Sequence, residues 1–277
     1  MEKISFIFLL LLISSIHSIP PEWRDYLSCK YGRLQSPISL NEYDADYSDT
    51  FSFVYEYYKP INTTRSNSYT LIWNINDGGY VNFEKEAVIK QYELTKIELY
   101  KGLHEIDGEK GDYELHLVYK KNLEFNSNKN QYRKIVDANM FLTVVLRYKE
   151  NCNNFKCISD NGLLSQLTKD NEVNNFNLNN YPIYQDKKAY FYEGSFLYTP
   201  CDENVNYYVV DDFFYLNGFN ISIINDIKGF NDNNIKQKDR YGRPVLKNFM
   251  NYREFLKSRN NCINVYYLFL MIFILFI

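Results

Sequence analysis

Short stretches in which apolar and polar residues alternate recur along most of the chain. An alternation of period two is typical of a β-strand with one buried face, and these stretches are rich in branched and aromatic residues. The pattern predicts strands at residues 51–58, 69–73, 80–83, 94–100, 113–118, 140–148, 189–192 and 206–210. Helical periodicity is scarce and is best at residues 161–171 and in the segment after Asp211. We therefore expect a mainly β protein.

No linker, repeat or long block of one charge interrupts residues 21–256, so we expect a single domain. The 27 Tyr and 20 Phe of the chain can supply a large core. A net charge of -3 excludes a general attraction to nucleic acid. A local basic cluster is compatible with an acidic glycan, although such clusters are more often a solvated surface. It consists of Lys120, Lys121, Lys129, Arg133 and Lys134.

Both ends of the sequence have the composition of processing signals. Residues 1–18 join a charged start, an apolar run and small residues, which predicts a secretory signal peptide cleaved after Ser18. Residues 258–277 place small residues before an apolar tail that is shorter than the roughly 20 residues of a spanning helix. This order favours a GPI-anchor signal, with a short membrane tail as the alternative. We expect a domain at residues 19–257 that is anchored to a membrane and faces the outside.

Five cysteines in an exported chain are expected to form disulfides. Cys152 and Cys157 are near enough in sequence to close a small loop, whereas Cys29 and Cys201 could join the start of the domain to its far end. Cys262 is then left over. Glycosylation sequons, which are expected in surface loops, begin at Asn62 and Asn220.

One predicted strand carries the clearest candidate chemistry. Residues 112–119 put Glu114 and His116 on one strand face, with Leu115 and Leu117 on the other. A carboxylate in this position can accept a hydrogen bond from the ring nitrogen that a bound metal does not use. Read alone, a histidine on a strand is more often a packed or hydrogen-bonded residue than a metal ligand.

Four ordered motifs stand out along the chain. They are Gln-Ser-Pro-Ile at 35–38 after Trp23, Glu-Leu-His-Leu-Val at 114–118, the Gly-Ser to Pro-Cys segment at 194–201, and Arg243-Pro244-Val245 with Arg253. Together they resemble the motifs of the alpha-class carbonic anhydrases. The resemblance spans the expected domain and implies one large twisted, mostly antiparallel sheet of about ten strands with short peripheral helices. It also implies that Cys29 pairs with Cys201.

The resemblance implies a zinc site from which this sequence departs. In the family, three histidines hold zinc, and the hydroxide bound to it hydrates carbon dioxide. His116 matches one ligand, but Glu98 and Tyr100 stand where the family has a His-x-His pair. Once the signal peptide is removed, only His104 and His116 remain, which is too few for a site of three histidines.

Other positions implied by the resemblance also differ. The hydroxyl that bonds zinc hydroxide falls on Tyr198, with Thr199 beside it if the register shifts by one residue. Leu103 replaces the carboxylate that orients this hydroxyl, and Gly79 replaces the proton-shuttle histidine.

We therefore expect a non-catalytic carbonic anhydrase-like protein, without a metal or other cofactor, that binds a protein or glycan at the cell surface. Glu98, Tyr100 and His116 should then line a metal-free cleft and satisfy one another by hydrogen bonds, Glu98 with His116 among them. One alternative is a zinc-dependent carbonate dehydratase with an altered ligand set, or a hydrolase in the same cleft, based on Glu114, His116 and Thr199. Another is a coat or adhesion module in which only the outer surface matters.

Overall fold

The computed structural model describes residues 29, 32–66, 71–86, 88–126, 131–134, 140–150, 157–159, 162–169, 172–181, 187–198, 201–216, 224 and 242–250. The expected signal peptide, the apolar tail, and residues Cys152, Thr199 and Asn220 lie outside these ranges. Within the described ranges, no helix has the length and apolar character needed to cross a membrane.

The elements of the described chain are mostly strands, as the alternation predicted. They are β1 (Ser39–Leu40), β2 (Asp46–Tyr47), β3 (Phe51–Tyr58), β4 (Ile61–Ser66), β5 (Leu71–Asn74), β6 (Gly79–Lys85), β7 (Val88–Lys101), β8 (Glu105–Ile106), β9 (Glu109–Lys110), β10 (Tyr113–Asn126), β11 (Gln131–Lys134), β12 (Phe141–Lys149), β13 (Cys157–Ser159), β14 (Glu172–Phe176), β15 (Ala189–Gly194), β16 (Val205–Tyr215) and β17 (Val245–Lys247). An α-helix, α1 (Leu163–Lys169), and a 3-10 helix, η1 (Leu178–Asn180), accompany them.

One large sheet organises the fold. Among the described residues it has fourteen strands, in the order β14-β4-β5-β7-β10-β12-β16-β15-β17-β2, with β3, β6, β11 and β13 attached beside this path. Most neighbours are antiparallel, but β12 and β13 run parallel to β16, and β17 runs parallel to β2. The predicted fold is confirmed. The sheet exceeds the ten strands expected, because very short strands such as β2 and β13 extend it.

The helix predicted at residues 161–171 is present as α1. In the segment after Asp211, where a second helix is predicted, residues 211–215 are strand and Ile224 is helical, and residues 217–223 and 225–241 lie outside the described ranges. β16 continues through Tyr215. Phe213 lies against the Arg147 guanidinium, 4.1 Å from ring centre to Cζ, and Phe214 lies 5.4 Å from Tyr148. Neighbours on both faces of the sheet therefore stabilise a strand where the local sequence favoured a helix.

The two faces of the central strands differ in chemistry. Leu99, Leu115 and Leu117 point into the larger hydrophobic cluster with Trp73. Glu98, Tyr100, Glu114 and His116 are also buried and lie on the other face, because successive side chains of a strand alternate. The strand period thus separates a hydrophobic core from a polar cleft.

The motifs at the two ends of the domain meet at one place. The Arg243 guanidinium donates to the backbone carbonyls of Glu193, Arg33 and Gln35, at 3.0, 3.3 and 2.7 Å. Gln35 Nε2 in turn donates to Glu203 Oε1 at 3.1 Å. A single buried arginine therefore joins the opening, middle and closing segments of the chain.

The structure joins Cys29 and Cys201 in a disulfide that spans 172 positions of the sequence. A cross-link over so long a segment restricts the unfolded chain, so we expect the double variant Cys29→Ser/Cys201→Ser to lose about 2–4 kcal/mol of unfolding free energy. Urea unfolding of the purified protein measures this loss. Ser52→Ala, at an exposed position of β3, is the control and should unfold like the parent; an unchanged midpoint in the double variant would contradict the prediction.

Candidate functional site

The cleft side chains are positioned by the antiparallel pair β7 and β10. In this register Glu98 stands opposite His116, and Tyr100 stands opposite Glu114. The Tyr100 and His116 rings are 4.7 Å apart between centres. The strand period predicted that Glu98 and Tyr100 share a face of one strand and that Glu114 and His116 share a face of another, and the pairing brings the two sets together.

Glu114 is the hydrogen-bonding centre of the cleft. Its Oε1 accepts from the backbone N–H groups of Leu103 and His104, and its Oε2 accepts from His104 Nδ1 at 2.8 Å and from His116 Nε2 at 3.0 Å. Burial by itself would raise the pKa of Glu114, but the two histidines outweigh burial and hold that pKa well below its usual value. Glu114 is therefore a fully buried carboxylate that keeps its charge.

The backbones of Gly102 and Gly111 approach each other closely, and this approach brings His104 within reach of Glu114. A Cβ atom on Gly102 would lie 1.8 Å from the carbonyl oxygen of Gly111, so only glycine fits there. The loop that follows Gly102 can then turn its amide groups toward Glu114. Replacing Gly102 by any other residue would force the two strand ends apart.

His104 continues the network toward the far side of the sheet. Its Nε2 lies 2.7 Å from the Tyr192 hydroxyl, which is 3.3 Å from Ser36 Oγ. Burial lowers the pKa of His104 and outweighs the opposing effect of Glu114, so the ring is neutral. The neutral ring donates from Nδ1 to Glu114 and accepts at Nε2 from Tyr192. Both of its nitrogens are thus in use.

His116 has one occupied ring nitrogen, as the sequence predicted for a histidine beside a carboxylate. Glu114 takes the Nε2 position. No hydrogen bond to Nδ1 connects His116 with any described residue. The predicted bond between Glu98 and His116 is wrong: the two residues face each other across the strands, but each carboxylate oxygen of Glu98 has another neighbour.

Those neighbours are Tyr100 and Lys96. The Tyr100 hydroxyl donates to Glu98 Oε2 at 2.9 Å, and Lys96 Nζ forms an ion pair with Oε1 at 3.1 Å, without hydrogen-bond alignment. Burial and the Glu98 charge raise the pKa of Tyr100 well above its usual value, so this phenol stays neutral. Burial lowers the pKa of Lys96, but Glu98 and Tyr198 outweigh burial and the net shift is upward. The cleft thus contains its own cation.

Lys96 also forms part of the cleft rim. Its ammonium group contacts the Tyr198 hydroxyl and lies 4.7 Å from the centre of the Tyr198 ring and 5.7 Å from that of Phe196. Tyr198 is 38 % exposed. Lys96 was not among the residues predicted from the sequence, although the period of two places residues 96, 98 and 100 on one face.

The amino-acid sequence also matches a known protein family. Residues 18–261 match the sequence model of the eukaryotic-type carbonic anhydrases. The chain belongs to this family.

Solved structures agree with the assignment at the level of the fold. The chain is similar to dioscorin complexed with ascorbate, with 19 % identity, a TM-score of 0.62, and 82 % of this chain and 92 % of the other covered. It is similar to the alpha-carbonic anhydrase of Thermovibrio ammonificans in complex with sulfanilamide, with 20 % identity, a TM-score of 0.61, and coverage of 80 % and 90 %. The chain is also similar to the halotolerant carbonic anhydrase of Dunaliella salina, with 17 % identity and a TM-score of 0.60, and the match covers 82 % of this chain and 91 % of that one. A search of curated proteins gives no match.

Three residues of this carbonic anhydrase-family chain are close enough to share a metal ion. Potential ligand atoms of His104, Glu114 and His116 all lie within 4.8 Å of one another. The same atoms are already joined by hydrogen bonds, and His104 would have to give up Glu114 or Tyr192 to bind a metal. A protein-only network explains the cluster without an ion.

Other predicted positions are placed as follows. Asn62 is exposed, but it lies on β4 rather than in a loop, and its Oδ1 accepts from Asn175 N at 2.7 Å. Of the predicted basic cluster, Lys120 is exposed and Lys121 is buried, since they alternate on β10, so these two side chains do not share one surface; Lys129 lies outside the described residues. Gly79 begins β6 with a φ of 98°.

Proposed function

We propose that this member of the carbonic anhydrase family is a non-catalytic cell-surface protein that binds a protein or glycan partner. The observation that carries the proposal is the Lys96 ammonium beside Glu98. A cation held against this carboxylate repels a second cation at the same place. Glu98, Tyr100 and His116 are therefore poorly suited to bind the zinc ion that the family binds.

Each candidate ligand supports this conclusion separately. Glu98 already accepts a hydrogen bond from Tyr100 and pairs with Lys96. Tyr100 is a neutral phenol, which is a weak ligand for zinc. Among the described residues, His116 is then the one imidazole with an open nitrogen, whereas the hydration of carbon dioxide requires a metal held by three neutral ligands with one position free. The residues do not fit zinc, and we derive no catalytic step through it.

The cleft rim has groups suited to recognition. Phe196 lies 4.7 Å from Phe141 and 5.2 Å from Tyr198, between ring centres, and Lys96 adds a positive charge. Tyrosine offers an apolar ring and a hydroxyl, which suits both protein and sugar surfaces. We place the partner of this protein at the rim.

The proposed location follows from the two ends of the sequence. We propose a signal peptide at residues 1–18 and a GPI-anchor signal, or a short membrane tail, at residues 258–277, which leave the domain at residues 19–257 outside the cell. The disulfide between Cys29 and Cys201 supports an oxidising compartment. The exposed Asn62 is compatible with glycosylation there, and Asn220 is proposed as a second site.

Metal content tests the proposal. After equilibration with zinc and removal of free ion, we expect elemental mass spectrometry to find only trace zinc in the purified protein. Carbon dioxide hydration should equal the rate in buffer, both for the parent and for His116→Ala. About one zinc per chain, with hydration that His116→Ala abolishes, would overturn the proposal.

The alternative is a zinc-dependent carbonate dehydratase with an altered ligand set. The close grouping of His104, Glu114 and His116 favours it. In that case the bound zinc should be lost in His104→Gln as well as in His116→Ala. Trace zinc in all three proteins would exclude this alternative.

A further inference from the structure

A cavity of about 350 Å³ lies between β3 and η1. Its walls include Phe53, Glu56 and Tyr58 from the strand, with Leu178, Asn179 and Tyr181 opposite. Asn179 joins the walls, since its Nδ2 donates to the Tyr58 carbonyl at 2.6 Å and its Oδ1 accepts from Tyr58 N at 3.2 Å. A pair of hydrogen bonds to the strand backbone therefore joins the two walls of the cavity.

This cavity is separate from the cleft described above. Tyr58 and Leu178 belong to the larger hydrophobic cluster, on the side of the sheet that faces away from Glu98 and His116. Tyr192 and Tyr207, which contact His104, belong to the second cluster on the cleft side. Ligand binding in the cavity does not depend on the function proposed for the cleft.

Glu56 gives the cavity an unusual charge. The carboxyl is half-buried, and it forms no ion pair with any Lys, Arg or His of the described residues. Burial raises the pKa of Glu56 to about 7, although a hydrogen bond from Tyr58 opposes that change. A carboxylate that is removed from water and has no cation beside it is destabilised, and a bound cation would stabilise its charged form.

Aromatic rings surround this carboxyl. Phe53 packs edge-on against Phe83 at 5.2 Å and against Tyr208 at 4.9 Å, and Tyr181 stacks on Phe176 at 5.7 Å, all between ring centres. The faces of such rings attract organic cations. A metal ion is a poor occupant, because hard cations need several oxygen ligands and the cavity offers a single carboxylate.

We propose that the cavity between β3 and η1 binds a small organic ammonium ion. Glu56 is its counter-ion, and the rings of Phe53, Tyr58 and Tyr181 form the walls around its alkyl groups. The site needs charge and shape together, since neither the carboxylate nor the rings alone distinguish an ammonium ion from other solutes.

Calorimetric titration of the whole purified protein with choline chloride tests the site. We expect saturable binding with one site per chain, and binding weaker by about tenfold or more for 3,3-dimethylbutan-1-ol, which has the shape of choline without its charge. Glu56→Gln should lose the preference for choline. Glu84→Gln, on the neighbouring strand β6, is the matched control and should bind like the parent.

A second variant tests the site even where Glu56→Gln fails to fold. Tyr181→Leu keeps the charge and removes one ring, and we expect it to bind choline several-fold more weakly. Equal binding of choline and its uncharged analogue, or no choline binding in the correctly folded parent, would overturn the proposal. Binding of phosphatidylcholine vesicles that free choline displaces would identify the source of the ammonium ion as a lipid headgroup; binding of free choline by a protein that does not bind the vesicles would identify a soluble ligand.

The pH dependence of choline affinity is a separate test of Glu56 as the counter-ion. The titratable groups around Glu56 in the described chain include the hydroxyls of Tyr55, Tyr58, Tyr181 and Tyr208, and burial raises the pKa of Tyr208 above its usual value. Glu56 is thus the group that changes charge near neutrality. Choline affinity should fall as the pH is lowered through about 7, and it should not change in Glu56→Gln. A parent affinity independent of pH would contradict Glu56 as the counter-ion.

Discussion

Replacing Glu98 and Tyr100 together by histidine is expected to give this protein one tightly bound zinc ion per chain. Position 98 lies directly opposite His116, and the ring at position 100 is 4.7 Å from that of His116. The variant would place three imidazoles on one face and remove the carboxylate that holds Lys96. Elemental mass spectrometry after extensive dialysis measures the gain, which we expect to rise from trace zinc to about one ion.

The control for this variant is the addition of His116→Ala, which should return the zinc content to trace. Zinc binding should also raise the melting temperature of the double variant, because a ligand that binds the folded state alone stabilises it. A folded double variant that holds no zinc would mean that β7 and β10 do not present these positions in the geometry of the family.

Glu114→Ala is expected to lower the free energy of unfolding by about 3–5 kcal/mol. Four hydrogen bonds end on this carboxylate, and without it the side chains of His104 and His116 and two backbone N–H groups lose this buried acceptor. A loss of this size is a large part of the stability of a typical domain. Urea unfolding followed by circular dichroism measures it.

Glu105→Ala is the matched control for Glu114→Ala, since Glu105 is near the same loop and only half-buried; it should change stability by less than about 0.5 kcal/mol. The stability of the parent can also be compared with that of Glu114→Ala at low pH. The lowered pKa of Glu114 stabilises the folded state above about pH 4.5, and this contribution is lost as the pH falls further. The parent should therefore lose stability in acid more steeply than Glu114→Ala, and parallel curves would contradict the assigned role.

The strand period accounts for most of what the sequence could predict about the cleft. It places Glu114 beside His116 and puts residues 98 and 100 on the same face, because side chains alternate along any strand. It does not choose partners within that face. Glu98 pairs with Lys96 rather than with His116 because Glu114 already takes the His116 ring nitrogen and Tyr198, from a distant segment, contacts the Lys96 ammonium.

Features built from loops or from distant segments were beyond prediction. His104 lies between β7 and β8, where no period applies, and it reaches Glu114 because Gly102 approaches Gly111. The cavity beside Glu56 has walls 121 residues apart in the sequence, since Asn179 pairs with Tyr58. The strand after Asp211 depends on the same kind of contact, made by Phe213 with Arg147.

The pairing of β2 with β17 has a consequence for how the chain reaches its native state. Leu246 aligns with Asp46, so one edge of the sheet forms only when segments about 200 residues apart meet. During synthesis the first strands emerge long before their partner, and β15 has an open edge until β17 arrives. Such exposed edges favour association between chains. We expect this protein to complete its fold slowly and only after β17 has been synthesised.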